Sequence, residues 1–143
     1  MKKTTFTFLA LSTLLLGVVL PATAQSIRIS SNIPFEFVYG DTAMPAGEYT
    51  LVANAVNGTV SIQSYDQEVF ASRLSSAVSN PNLMPDGRAR LVFNRYGNQY
   101  FLSEIWSGYG SQGREFTPSR TERELARTAG LHQRETVTVL ARR

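Results

Sequence analysis

From Ile33 onward, apolar and polar residues alternate in short runs divided by turn-forming residues. Ile33, Phe35, Phe37 and Tyr39 alternate with Pro34, Glu36 and Val38, the period of a strand with one buried face. Pro34 cannot donate to a ladder, so it belongs at the start of the strand or on an edge. Gly40-Asp41 opens a turn and Pro45-Ala46-Gly47 closes it. Glu48–Ala55 resumes the alternation, with Tyr49, Leu51 and Ala53 on one face. Asn57-Gly58 is a strong hairpin signal. Thr59–Tyr65 follows with Val60 and Ile62 inward, and Asp66-Gln67 predicts another tight turn. Upstream, Gln25–Asn32 is polar and is expected to fray.

Phe70, Leu74 and Val78 fit the period of a helix or of a strand. The small and polar residues around them and the flanking hairpins favour a strand over Val69–Val78. Asn80–Arg88, with two prolines and Asp86-Gly87, predicts a loop, and Gly108–Gly113 a second, glycine-rich one. Between them, Ala89–Trp106 is strand, turn, strand. Gly97-Asn98 suits a two-residue loop that needs positive φ at its first central residue, and Val, Phe, Tyr, Ile and Trp fill the flanks.

The pattern then changes. Ser119-Arg120-Thr121-Glu122 fits a capping box, with Pro118 at a first helical position as the alternative start. Leu125, Ala126 and Ala129 give a narrow apolar stripe, and Gly130 ends it. This predicts a helix over about 119–129, too short to persist without packing on a sheet. Glu135–Leu140 alternates again and predicts a last strand. Together these elements predict an all-β, mainly antiparallel domain: a single β-sandwich or partly closed barrel of six to seven strands, with one short helix near the C-terminus.

The first residues do not belong to that pattern. Lys2 and Lys3 precede the uncharged apolar run Phe6–Leu20, and Ala22-Thr23-Ala24 supplies a small-x-small cleavage pattern. Residues 1–24 are therefore expected to be a secretory signal peptide, cut after Ala24, leaving 25–143 as one β-rich domain in the periplasm or outside the cell. The apolar run falls short of the ~20 residues that span a bilayer, so no transmembrane span is expected in the mature chain. Both lysines fall in the leader. Twelve arginines against eleven acids then leave a formal charge of +1, and no field for nucleic acid is implied. There is no cysteine, which excludes disulfides, thiol catalysis and Cys-ligated metal.

Two segments, IPFEFVYGDTAMPAGEYTL at Ile33–Leu51 and LVFNRYGNQYFLSEIW at Leu91–Trp106, resemble a family of small secreted bacterial proteins of unknown function. SRTERELA at Ser119–Ala126 adds a weaker likeness. The shared residues are turn glycines, prolines and strand aromatics. The resemblance implies one exported β-rich domain and carries no catalytic or ligand-binding residues.

Chemistry-bearing residues are sparse. His132 is the only histidine, and a transition metal needs three or four ligands, so neither a metal nor a cofactor is expected. No serine lies in a Gly-x-Ser-x-Gly elbow. Ser107–Gly113 has glycines but no Gly-Lys-Ser/Thr end of a phosphate loop. Glu104 is the acid that stands out. With Gly97-Asn98 as the loop, Phe93 faces Leu102 and Leu91 faces Glu104, on one face with Trp106. A register shifted by one residue sets Arg90 opposite Glu104 and Phe93 opposite Phe101, an ordinary cross-strand ion pair, and this structural role is favoured. Glycosidase chemistry needs a second facing carboxyl group that the sequence cannot place. Tyr100, Glu104 and Trp106 are the candidate ligand contacts, and no catalytic residue is assigned. The expected role is a non-catalytic extracytoplasmic module that binds an envelope or extracellular protein or a second copy of itself. A small-ligand or carbohydrate-binding domain is the alternative, and a hydrolase comes third.

Overall fold

Strands that bury one face need a second apolar face to cover it, and here two sheets cover each other. The computed structural model describes residues 26–80, 87–108, 112–129 and 134–143. In chain order the elements are β1 (Ser26–Ile33), β2 (Phe37–Tyr39), β3 (Thr42–Met44), β4 (Gly47–Asn54), β5 (Thr59–Ser64), β6 (Phe70–Leu74), β7 (Ser76–Ser79), β8 (Ala89–Tyr96), β9 (Gln99–Trp106), β10 (Gln112–Glu115), α1 (Arg120–Ala129) and β11 (Arg134–Ala141). The first sheet runs β1-β4-β5-β6 and the second β11-β8-β9-β10-β7. β2 adds to β9 by a parallel contact, Val38 with Phe101, and carries β3. Every other pairing is antiparallel. The leader at Met1–Ala24, Pro81–Asp86 of the first loop, Tyr109 in the second, the Gly130 stop and His132 lie outside the described residues.

The fold is a β-sandwich with one short helix near its C-terminal end and is not a closed barrel. Ile29, Leu51 and Ile62 of the first sheet join Leu91, Phe93 and Leu102 of the second in one core. Each such burial contributes about 1.5–3 kcal/mol relative to leaving the side chain exposed.

Among the described residues eleven strands replace the expected six to seven, because single runs of alternation are cut where the chain bends or changes sheet. Ile33–Tyr39 is interrupted after Ile33, at Pro34. Val69–Val78 is strand, as expected, but divides at Ser75: β6 ends the first sheet and β7 ends the second. The Ser75 amide and hydroxyl both donate to Gly58 O, at 2.9 and 2.7 Å, and hold the crossing point. Residues 26–32 do not fray. They pair with β4 along their whole length, and Ser31 in the inward row donates to Leu140 O at 3.1 Å. The glycine-rich stretch also ends in a strand, β10.

The turns follow their chemistry. Gly97 has φ 60° and Tyr96 pairs with Gln99, as a two-residue loop with positive φ first requires. The Asn57-Gly58 signal marks a longer loop, Ala55 to Gly58, in which Asn54 Oδ1 accepts from the Val56 amide at 2.9 Å. At the β5–β6 turn Gln67 has φ 63°. The Ser64 hydroxyl, and then the Glu68 amide, hold the Asp66 carboxyl below its ordinary value.

Helix α1 begins where the sequence placed it. Ser119 Oγ accepts from the Glu122 amide at 3.2 Å. The reciprocal half of the capping box is replaced: Glu122, 4% exposed, turns its carboxylate to the sheet and accepts from Asn94 Nδ2 at 2.8 Å. This bond docks the helix on the outer face of β8. There Tyr96 and Phe101 are also buried, with ring centroids 5.9 Å apart. Burial, and next the Glu122 charge, push the Tyr96 phenol above its ordinary value.

Candidate functional site

An unbroken two-residue period would set Tyr100, Glu104 and Trp106 on one face of β9. The structure separates them. Between Val92 and Phe93 the register with β9 shifts: Phe93 pairs with Leu102, whereas Val92 pairs with Glu104, leaving Ser103 as a bulge. Its hydroxyl donates to Val92 O at 3.0 Å. The extra residue reverses the faces beyond it. Tyr100 stays on the inner side with Leu102, while Glu104 and Trp106 turn to the outer face.

Neither expected register for Glu104 survives. Up to the bulge the pairing is that of the Gly97-Asn98 loop, and beyond it Glu104 faces Val92, not Leu91 or Arg90. The ion pair with Arg90 is therefore not formed in register. Instead the carboxylate accepts from Trp106 Nε1 at 2.8 Å. On its other side stands Glu115 of β10, directly opposite. Glu115 is a second carboxylate that sequence reasoning could not place, because β10 was hidden in a glycine-rich stretch. The two acids lie side by side on one sheet surface, where like charges repel.

Trp106 is 3% exposed and presents no ring to solvent. It lies so close to Gly113 that a Cβ there would meet indole carbons at 2.7 Å. Tyr100 stacks on Phe35 with centroids 4.0 Å apart, and the Arg95 guanidinium lies 5.4 Å from its ring. It also lines a cleft of about 310 Å³ with Phe37, Met44 and Asn98. The three candidates thus form no common site. Among the described residues no group of three or more His, Asp or Glu gathers as for a metal, and no helix is long and apolar enough to cross a membrane.

A different region stands out by exposure. Among the described residues five large hydrophobic side chains are exposed, and four belong to β6 and the loops at the two ends of β5: Val56, Tyr65, Phe70 and Leu74. Phe70 and Leu74, 61% and 74% exposed, flank Ser72 on the outer face of β6. β6 pairs with β5 alone, so its other row of backbone groups ends the sheet. The inward residues of this strand are Ala71 and Arg73. Arg73 lies over the Tyr39 ring, 5.8 Å from its centroid, and donates to Thr117 O at 3.1 Å. The signal was legible in FASRL: a small and a charged residue occupy the inward positions, which suits an edge and not a core strand.

Protein-family models, curated proteins and solved structures were each compared with the chain, and none matches.

Proposed function

We propose that this protein is a non-catalytic binding module that works outside the cytoplasm, secreted or periplasmic, and takes up an extended segment of an envelope or extracellular protein along β6. The observation that carries this reading is the free edge of β6 with Phe70 and Leu74 exposed on the same face. An added strand gains backbone hydrogen bonds from such an edge, and alternate side chains give specificity. Neither lysine nor proline, two common protectors of an edge, occurs in Phe70–Leu74. Arg73 already has its partners inside, so an arriving strand leaves it undisturbed. The leader pattern at Met1–Ala24 supports the compartment.

The test is photo-crosslinking from Ser72 in envelope extract, with Phe70→Lys/Leu74→Lys as the comparison. Capture of one partner, abolished in the double variant at unchanged melting temperature, is the expected result. Capture that survives the double variant overturns the reading. Capture of a second copy, with a dimer in sedimentation, replaces the foreign partner by this chain.

The carbohydrate-binding alternative rests on the outer face of the first sheet. There the 81%-exposed Tyr65 and Phe70 border a shallow depression lined also by Thr50, Ser61 and Gln63. Binding to a glycan array that is lost in Tyr65→Ala but kept in Leu74→Lys favours this alternative over strand addition.

A further inference from the structure

At the end of the sandwich away from Tyr49 the two sheets do not fill the space between them. The inward row of β4 shortens from Tyr49 through Leu51 to Ala53. Opposite, β7 offers only the small side chains of Ala77 and Ser79 to that face. Between them lies a cleft of about 310 Å³, at the lower end of the ~300–1,000 Å³ range of small-molecule sites. The first sheet gives it an apolar wall of Ile27, Ile29 and Ala53, and Ile105 closes the second sheet's side.

One side chain there does not fit an apolar core. Arg114 pairs in register with Ile105 on one side and Ala77 on the other, so it shares their inward face. It lines the cleft and is half-buried. Its guanidinium has no hydrogen bond or ion pair among the described residues. Its neighbour Glu115 belongs to the opposite face of β10. Contrast Arg73, the other inward arginine of an edge region, which is held by Thr117 O and the Tyr39 ring. A half-buried guanidinium costs desolvation that an anion relieves through two parallel hydrogen bonds. Ser79 and Gln112, paired with each other beside it, add polar groups to the same wall.

We propose that this cleft binds an aliphatic monocarboxylate of medium chain length, with its tail against Ile27, Ile29 and Ala53 and its carboxylate on Arg114. The site is independent of the β6 edge, and its failure leaves the strand-addition reading standing. The small side chains and the cation suit one such ligand together: the first leave room for a tail, and the second takes its head.

The test is calorimetric titration of the purified protein with decanoate and with decanol, both below their aggregation concentrations. Decanoate is expected to bind at least ten-fold more tightly than decanol. Arg114→Gln removes that preference and leaves decanol binding as it was. Ala77→Leu, on the exposed β7, fills the cleft and weakens both ligands ten-fold or more, while circular dichroism and melting temperature stay at the parent's values. If decanoate gives no heat up to millimolar concentration, the proposal is wrong. It is equally overturned if decanoate binds but neither Arg114→Gln nor Ala77→Leu changes its affinity. Should Arg114→Gln fail to fold, Arg114→Lys keeps the charge without the fork, and decanoate binding equal to the parent's counts against the bidentate contact.

Discussion

The two sides of the sandwich are finished in opposite ways. On one side β1 and β11 meet, and Ser30 and Arg142 exchange amide-to-carbonyl hydrogen bonds of 2.7 Å in both directions. Ser31 adds its hydroxyl to Leu140 O next to them. On the other side β6 stops without a neighbour, and only its inner flank is closed, by Arg73 over Tyr39. Edges invite unwanted pairing, and proteins commonly blunt all of them. A chain that seals one edge with backbone bonds has the means to seal edges. The other is left open, with Phe70 and Leu74 exposed beside it, and it is this contrast on which the proposed strand addition rests.

The largest effect is expected from undoing the seal. Arg142→Pro removes the amide that donates to Ser30 O, and urea unfolding should show a loss of about 2 kcal/mol. The same variant should self-associate in sedimentation, because one more edge is now free. If it stays as stable and as monomeric as the parent, the seal contributes nothing.

Closure on the other side depends on a buried phenol. Tyr39 is almost wholly buried and donates to Val60 O at 2.8 Å. Burial pushes its ionisation well above the ordinary 10.0, and Arg73 opposes this only in part. The folded state therefore favours the neutral phenol. Its contribution is complete below pH 10 and is lost as pH rises from there toward the folded value. Tyr39→Phe should cost about 1–2 kcal/mol at neutral pH, since Val60 O loses its partner, yet flatten the decline of stability above pH 10. Chemical unfolding at pH 8 and pH 11 checks both arms. An unchanged alkaline slope means that another group governs it.

Ser31→Ala should cost about 1 kcal/mol, one hydrogen bond at the sealed edge. Leu74→Ser at the open edge should move the urea midpoint least, within about 0.5 kcal/mol, because the side chain is already in water. A larger loss would mean that Leu74 packs against something, and the contrast between the two sides would weaken.

Much of this arrangement was legible in the order of residues. Tyr49, Leu51 and Ala53, and Val60 with Ile62, alternate in the sequence and are buried as the alternation says. Ser119 marks the start of the helix, and Glu135–Leu140 lies within β11, which pairs with β8. What escaped depends on contacts between distant segments. Ser31 makes β1 look polar, but its hydroxyl is satisfied by a carbonyl 109 positions away. Glu122 looks like a capping residue until Asn94 is brought beside it. The bulge at Ser103 has no local sign, since a serine in a strand is ordinary, yet it decides which candidate residues share a face. For the same reason Trp106, which composition offers as a sugar platform, is covered, whereas Tyr65 and Phe70 are not.

The Ser30–Arg142 pair also sets a timetable. β1 can pair with β4 after only some fifty residues have been made, but its seal waits for the last strand. Contacts between segments so far apart in sequence slow folding, and chains fold from the N-terminal end as they emerge. Until β11 arrives, the nascent chain carries an unguarded flank on β1 as well as on β6.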